Sequence, residues 1–200
     1  LHAPQVHGFF SVPTDHLNAL NVLADHFRNS DLSNAVVVSP DLGNAKQATN
    51  FSQLLKLPVA AGSKRRLADD KGKVDMIVGD VAGKDVIVLD DEIATGGSMV
   101  EIVEKLIEAG ANRISIACTH GLFAGQAIDR FRAFGDRIDE IVTTNTVPLP
   151  VEKHLPNMTV LSVAPLLARA MHNIHCGESV SQLFIHKAWI AEGAAGDHKG

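Results

Sequence analysis

Along the chain, short, mainly apolar runs alternate with longer stretches in which apolar residues return every third or fourth position. Residues 35–38 (Ala-Val-Val-Val), 57–61, 74–78, 86–89 (Val-Ile-Val-Leu), 113–118, 140–145 and 160–163 form the short runs. They predict strands: that at 86–89 buried on both faces, those at 35–38 and 113–118 buried as well, and the others short. Between them, residues 17–27, 42–55, 99–109, 125–134 and 165–174 predict helices. Pro13 with Thr14 and Asp15 suits a turn and cap before the first helix, Gly110 a stop after the third, and Pro165 the first position of the last. Such alternation predicts an α/β fold: a mainly parallel sheet flanked by helices, with ligands gathered at the strand carboxyl ends.

One stretch organises the rest. The run at 86–89 is closed by Asp90 and Asp91 in an acidic loop, and a Thr95-Gly96-Gly97-Ser98 turn leads into the helix of Met99, Val100, Val103, Leu106 and Ile107. The first turn of a helix has unpaired N–H groups and the positive end of the dipole, which attract an anion such as phosphate. Gly96 and Gly97 let the backbone close around it, while Thr95 and Ser98 can add hydroxyl donors. Asp90 and Asp91 then lie about one sugar ring away, placed to accept hydrogen bonds from vicinal hydroxyls. A pentose 5-phosphate fits this chemistry better than inorganic phosphate or a triphosphate tail.

Composition narrows the setting. Apolar residues make up 46% of 200, enough for a sizeable core, and a net charge of −5 argues against a general nucleic-acid surface. Cys118 and Cys176 are too few for a disulfide framework and point to a reducing, cytoplasmic setting. No apolar run reaches the roughly 18 residues of a membrane span, and neither internal repeats nor zinc-spaced Cys/His clusters occur. Two further stretches carry candidate chemistry, and Thr143 and Thr144, in the 140–145 run, are expected to line the same cleft. Asp41, after the 35–38 run, could cap a helix or serve as a carboxylate for a hard cation that keeps its waters. Lys64-Arg65-Arg66 precedes a polar, aperiodic stretch to residue 73, and is either a solvated charge run or a cationic loop able to close over phosphates.

The 90–98 stretch resembles the phosphoribosyl-diphosphate binding motif of type I phosphoribosyltransferases and of ribose-phosphate pyrophosphokinases. Leu1-His2-Ala3 with Gln5 and Gly8-Phe9-Phe10, Ser39-Pro40-Asp41, Lys64-Arg65-Arg66, Gly79-Asp80-Val81 and Glu178 to Phe184 resemble the pyrophosphokinases in order and spacing. The resemblance implies a phosphoribosyltransferase-like fold and transfer of the diphosphate of ATP to the 1-hydroxyl of ribose 5-phosphate, giving phosphoribosyl diphosphate and AMP. It carries Lys64 onto the family's active-site lysine and Arg66 onto its partner arginine. Asp90, Asp91, Thr95, Gly96, Gly97 and Ser98 fall on its sugar-phosphate site, and His2 and Asp41 on its Mg2+ contacts. ATP, ribose 5-phosphate and other copies of the chain, in a dimer-based assembly as large as a hexamer, are the implied partners; nucleic acid and membrane are not.

The same resemblance implies that about 120 residues of a full-length enzyme precede Leu1. Residues 1–24 are expected to end that first domain, 25–160 to form the sugar-phosphate domain, 161–190 to pack back on the first domain as a helix and strand, and 191–200 to be a disordered tail. The chain departs from the family at Ala94, where an Asp is common, at Ser98, where a Thr is common, and at Leu67-Ala68-Asp69-Asp70, which adds acids after the basic triplet. A type I phosphoribosyltransferase and a non-catalytic regulatory relative are the alternatives.

Overall fold

A computed structural model describes residues 4–64 and 74–184. Seven strands, β1 (Ala35–Ser39), β2 (Val59–Lys64), β3 (Val74–Val78), β4 (Asp85–Ile93), β5 (Arg113–Gly121), β6 (Glu140–Thr144) and β7 (Met158–Leu161), form one sheet in the order β3-β2-β1-β4-β5-β6-β7. All neighbours are parallel except β2 and β3, an antiparallel pair at one edge. The mainly parallel α/β sheet expected from the apolar runs is therefore the observed one.

Five helices accompany it: α1 (Leu20–Phe27), α2 (Ala45–Leu55), α3 (Gly97–Glu108), α4 (Ala127–Arg132) and α5 (Ala164–Cys176). Residues alternate between the faces of a strand, and in the central strands β1, β4 and β5 both faces are dry. Val37, Ile87, Leu89, Ala117 and Val142 meet Leu20, Leu23, Phe27, Phe51 and Leu55 of α1 and α2. Val36, Val88, Ile114, Ile116 and Ile141 meet Ile102, Val103 and Leu106 of α3 and Phe131 of α4. This is why the strands are continuously apolar. Each fully buried Leu, Ile or Phe contributes about 1.5–3 kcal/mol.

Several boundaries differ from expectation. The first helix starts at Leu20, where Asn18 Oδ1 accepts the Leu20 N–H at 2.7 Å; Thr14 and Asp15 do not cap it. Leu20, Leu23 and Ala24 share a core with Phe27, so a division after residue 24 runs through α1. The strand expected at 57–61 is Val59–Lys64, which puts Lys64 at its end, and Pro165 occupies the second helical position of α5, after Ala164. Of the helix α5, only Ala170 is buried; Leu167, Met171 and Ile174 are exposed. His2, Arg66, the 67–73 loop and the 191–200 tail lie outside the described residues. Among those described, no helix is long and apolar enough to cross a membrane.

Candidate functional site

Strand order locates the site. From β1 the chain moves outward to β2 on one side, and from β4 outward to β5 on the other, so the β1–β4 boundary is a topological switch point. Connections diverge there and leave a crevice at the strand carboxyl ends, the usual ligand position in open α/β sheets. Asp41 follows β1 and Asp90 and Asp91 belong to β4, so all three carboxylates reach this crevice.

The carboxylates are not in a loop, as expected, but inside β4, which continues to Ile93. Asp90 faces Cys118 and Glu92 faces His120 across the β4–β5 ladder. Pairing with β5 holds the carboxylate-bearing backbone rigid. Asp90 Oδ1 accepts the Asp91 N–H at 2.9 Å and Asn44 Nδ2 at 3.4 Å, and the same Asn44 amide donates to Leu89 O at 3.0 Å. Asp41 Oδ1 accepts the Asn44 N–H at 3.1 Å, and Asp41 O accepts the Ser39 hydroxyl at 2.6 Å. Asn44, not Asp41, is therefore the N-cap residue of α2. A side chain at Gly62 would put Cβ 2.6 Å from Pro40 O, so the glycine lets β2 pass close beneath the Ser39-Pro40-Asp41 bend.

Burial pushes the Asp90 carboxyl up to about 7, and the Asp91 and Asp41 carboxylates add repulsion, partly offset by the Asp91 N–H. A half-buried carboxyl with two like charges beside it is arranged to receive hydroxyl donors or a cation. Cys118, fully buried next to Asp90, has its thiol pushed up to about 12 by the same loss of water and donates to Thr143 Oγ1 at 3.3 Å. It is an inert thiol.

Five residues beyond Asp91, Gly96 has φ +74 and begins α3 with no side-chain cap. Only glycine takes this conformation cheaply, and here a Cβ would also lie 3.2 Å from the Phe131 ring. Gly97 is different: a Cβ there meets only Arg130 Nη1 at 3.7 Å and Thr95 Oγ1 at 4.0 Å. Thr95 and Ser98 are exposed on either side. An uncapped, glycine-led helix start thus stands beside the carboxylates, able to take an anion with its N–H groups while the acids take hydroxyls. Thr143 and Thr144, expected to line the cleft, are each 1% exposed: Thr143 takes the Cys118 S–H, and Thr144 Oγ1 donates to Thr119 O at 2.7 Å. They are packing residues.

Residues 64–185 match the family model of the phosphoribosyl synthetase-associated domain. The chain belongs to that family. A Streptomyces coelicolor protein is 58% identical over 184 residues, and a Clostridium acetobutylicum ribose-phosphate pyrophosphokinase is 41% identical over 186. Each match covers 92% of this chain and 58% of the relative, so the chain spans little more than half the length of these relatives. The crystal structure of a phosphoribosylpyrophosphate synthetase from Mycobacterium smegmatis superposes with a TM-score of 0.78 at 36% identity, covering 88% of this chain and 57% of that one.

Within this family fold the structure gathers Asp41, Asp90, Asp91 and the 95–98 turn around one crevice. Lys64 ends β2, one strand beyond β1. Two contributors had escaped the sequence reading. Asn44 had a signal, an Asp-x-x-Asn spacing just before a helical run. Arg130, whose Nη1 donates to Thr95 O at 2.8 Å, had none, since only the fold brings α4 to the turn.

Proposed function

We propose that this chain supplies the sugar-phosphate half of a ribose-phosphate diphosphokinase, which transfers the diphosphate of ATP to the 1-hydroxyl of ribose 5-phosphate to give phosphoribosyl diphosphate and AMP for nucleotide biosynthesis. One observation carries the reading: two carboxylates at the switch point stand beside an uncapped helix start five residues on. The 5-phosphate rests on the N–H groups around Gly97 and Ser98, with the Thr95 and Ser98 hydroxyls adding donors. Asp90 and Asp91 accept from the ribose hydroxyls and orient the 1-hydroxyl toward the donor. Lys64 and Arg66 offset the charge that develops on the transferring phosphates.

Mg2+ suits the donor set. Among the described residues no three His, Cys, Asp or Glu side chains form a closed cage, and a cation that keeps waters and binds through one or two carboxylates plus substrate phosphates needs none. Asp41, with His2, would hold it, and once bound it supplies charge neutralisation for the phosphates. The reading includes a cytoplasmic homo-oligomer with ATP and ribose 5-phosphate as its small-molecule partners. It also includes the domain division: exposed Phe9, Phe10 and Val12, with the Leu167–Met171–Ile174 stripe of α5, supply apolar surface against which a first domain can pack.

The test pairs calorimetry with a product assay. Residues 1–200 should bind ribose 5-phosphate yet release no AMP from ATP, because the donor must be held in line with the 1-hydroxyl and a 1 Å error costs roughly 10²-fold. Turnover near full-length rates would overturn the domain division. Absence of ribose 5-phosphate binding would overturn the site itself, and consumption of phosphoribosyl diphosphate with a nucleobase would favour a phosphoribosyltransferase. In a full-length enzyme, Lys64→Ala should lower kcat by about 10²-fold or more, the scale of one lost charge-stabilising donor. An unchanged kcat with a raised KM would make Lys64 a binding cation only.

A further inference from the structure

The carbonyls from Ile93 to Gly96, leading from β4 into α3, are all engaged. Ile93 O accepts the N–H groups of Leu122 at 3.0 Å and Phe123 at 3.1 Å, and Ala94 O accepts that of Ala124 at 2.8 Å. Gly96 O accepts the Val100 N–H at 2.9 Å, the first bond of the helix. Thr95 O is the exception among the four, because its donor is a side chain, Arg130 Nη1 at 2.8 Å. The segment that supplies these donors is itself pinned. Phe123 is fully buried with φ +44, edge-on to Phe131 at 5.9 Å between ring centroids, and Phe131 lies against Gly96.

In a trans peptide the C=O of one residue and the N–H of the next point in opposite directions. Drawing Thr95 O toward α4 therefore turns the Gly96 N–H the other way. That peptide is easily flipped, because it precedes a glycine, whose backbone accepts alternative φ/ψ regions at little steric cost. We propose that Arg130 is a positioning residue for phosphate: its guanidinium locks the Thr95–Gly96 peptide so that the Gly96 N–H faces the anion. The inference rests on the phosphate role given above to the 95–98 turn, and Arg130 acts through the backbone without touching the substrate.

The test compares the chain with Arg130→Met, which keeps the stem and loses the donor, and Arg130→Lys, which keeps a donor. Calorimetry with ribose 5-phosphate and with inorganic phosphate should show an affinity loss of about 10-fold or more for Arg130→Met, the scale of one hydrogen bond to a charged group. Arg130→Lys should recover most of it. In ligand-free protein, the Gly96 and Gly97 amides should show microsecond–millisecond exchange by 15N relaxation dispersion in Arg130→Met and none in wild type, with melting temperature unchanged. Weakened binding with quiet Gly96 and Gly97 amides would make Arg130 a direct phosphate ligand and overturn the proposal; so would unchanged amides with unchanged binding. If wild type takes up neither ligand, the functional reading falls, while the ligand-free amides still decide whether Arg130 locks the peptide.

Discussion

Asp85 and Asp90 belong to the same strand, five residues apart, under opposite conditions. At the amino end of β4, Asp85 accepts from Arg113 Nη2 and from Asn112 Nδ2, both at 2.7 Å. The Arg113 guanidinium holds its carboxyl below the usual carboxylate range, against a smaller opposing effect of burial. At the carboxyl end, Asp90 has Asn44 and the Asp91 N–H, but also two neighbouring carboxylates, and its pKa rises to about 7. The amino end of β4 is finished: the Asp85 charge is matched within the protein. At the carboxyl end three carboxylates crowd one crevice, and perturbed carboxyls of this kind cluster at working sites.

The contrast breaks most visibly at Asp90. Asp90→Asn should weaken ribose 5-phosphate binding by about 10²-fold, since charged acceptors contribute roughly 1.5–3 kcal/mol per hydrogen bond, without lowering the melting temperature at pH 8. The sign of its pH dependence is fixed. A folded pKa near 7 against an unfolded value of about 3.9 means that the native state keeps a proton the unfolded chain has lost. Wild-type stability should therefore fall as pH rises from about 4 to about 7 and level off above, and Asp90→Asn should remove that decline in urea melts. A decline of the same size in the mutant would assign it elsewhere.

A smaller effect separates the two glycines. Gly96→Ala imposes φ +74 on a residue with a side chain and presses it against Phe131, so it should cost about 1–2 kcal/mol and measurably weaken phosphate binding. Gly97→Ala has room for its Cβ, and its melting temperature should match wild type. Equal melting temperatures for the two would contradict the geometry. Smallest is the finished end. Asp85→Ala should cost about 0.5–1 kcal/mol, as for a partly exposed ion pair, with ribose 5-phosphate affinity unchanged by calorimetry. Asp85 has the opposite sign from Asp90: its contribution is present above the unfolded pKa and lost as pH falls through the lower folded one.

What was legible in the sequence was what a few consecutive residues decide alone. The apolar runs gave the strands, because burial on both faces removes polar alternation. The Asp90-Asp91 and Gly96-Gly97 pairs could be read because carboxylates, turn and helix start follow one another within nine residues. Arg130 could not be placed, since its role depends on which helices become neighbours; Asn44 had a legible helix-start spacing, but its bonds to Leu89 O and Asp90 depend on the β1–β4 pairing. Thr143 and Thr144 misled for the same reason: a hydroxyl near a strand's carboxyl end suggests a cleft, but these face a buried thiol and a backbone carbonyl. The extension of β4 through both aspartates was missed because charged residues argue locally against a strand, and pairing with β5 overrides that preference.

The order of the strands also bears on how the chain folds. The β1–β4 pairing under the crevice joins Val36 to Val86, fifty residues later. Closing a loop of that length costs entropy before any contact is made, and distant parallel pairings of this kind slow folding. Asp41 and Asp90 cannot meet until the strand pair is zipped, so an incompletely folded chain has every residue of the site and none of its shape. A ligand held between them binds only the finished sheet and draws the whole folding equilibrium toward it, by about 2.7 kcal/mol at a hundredfold excess over its Kd.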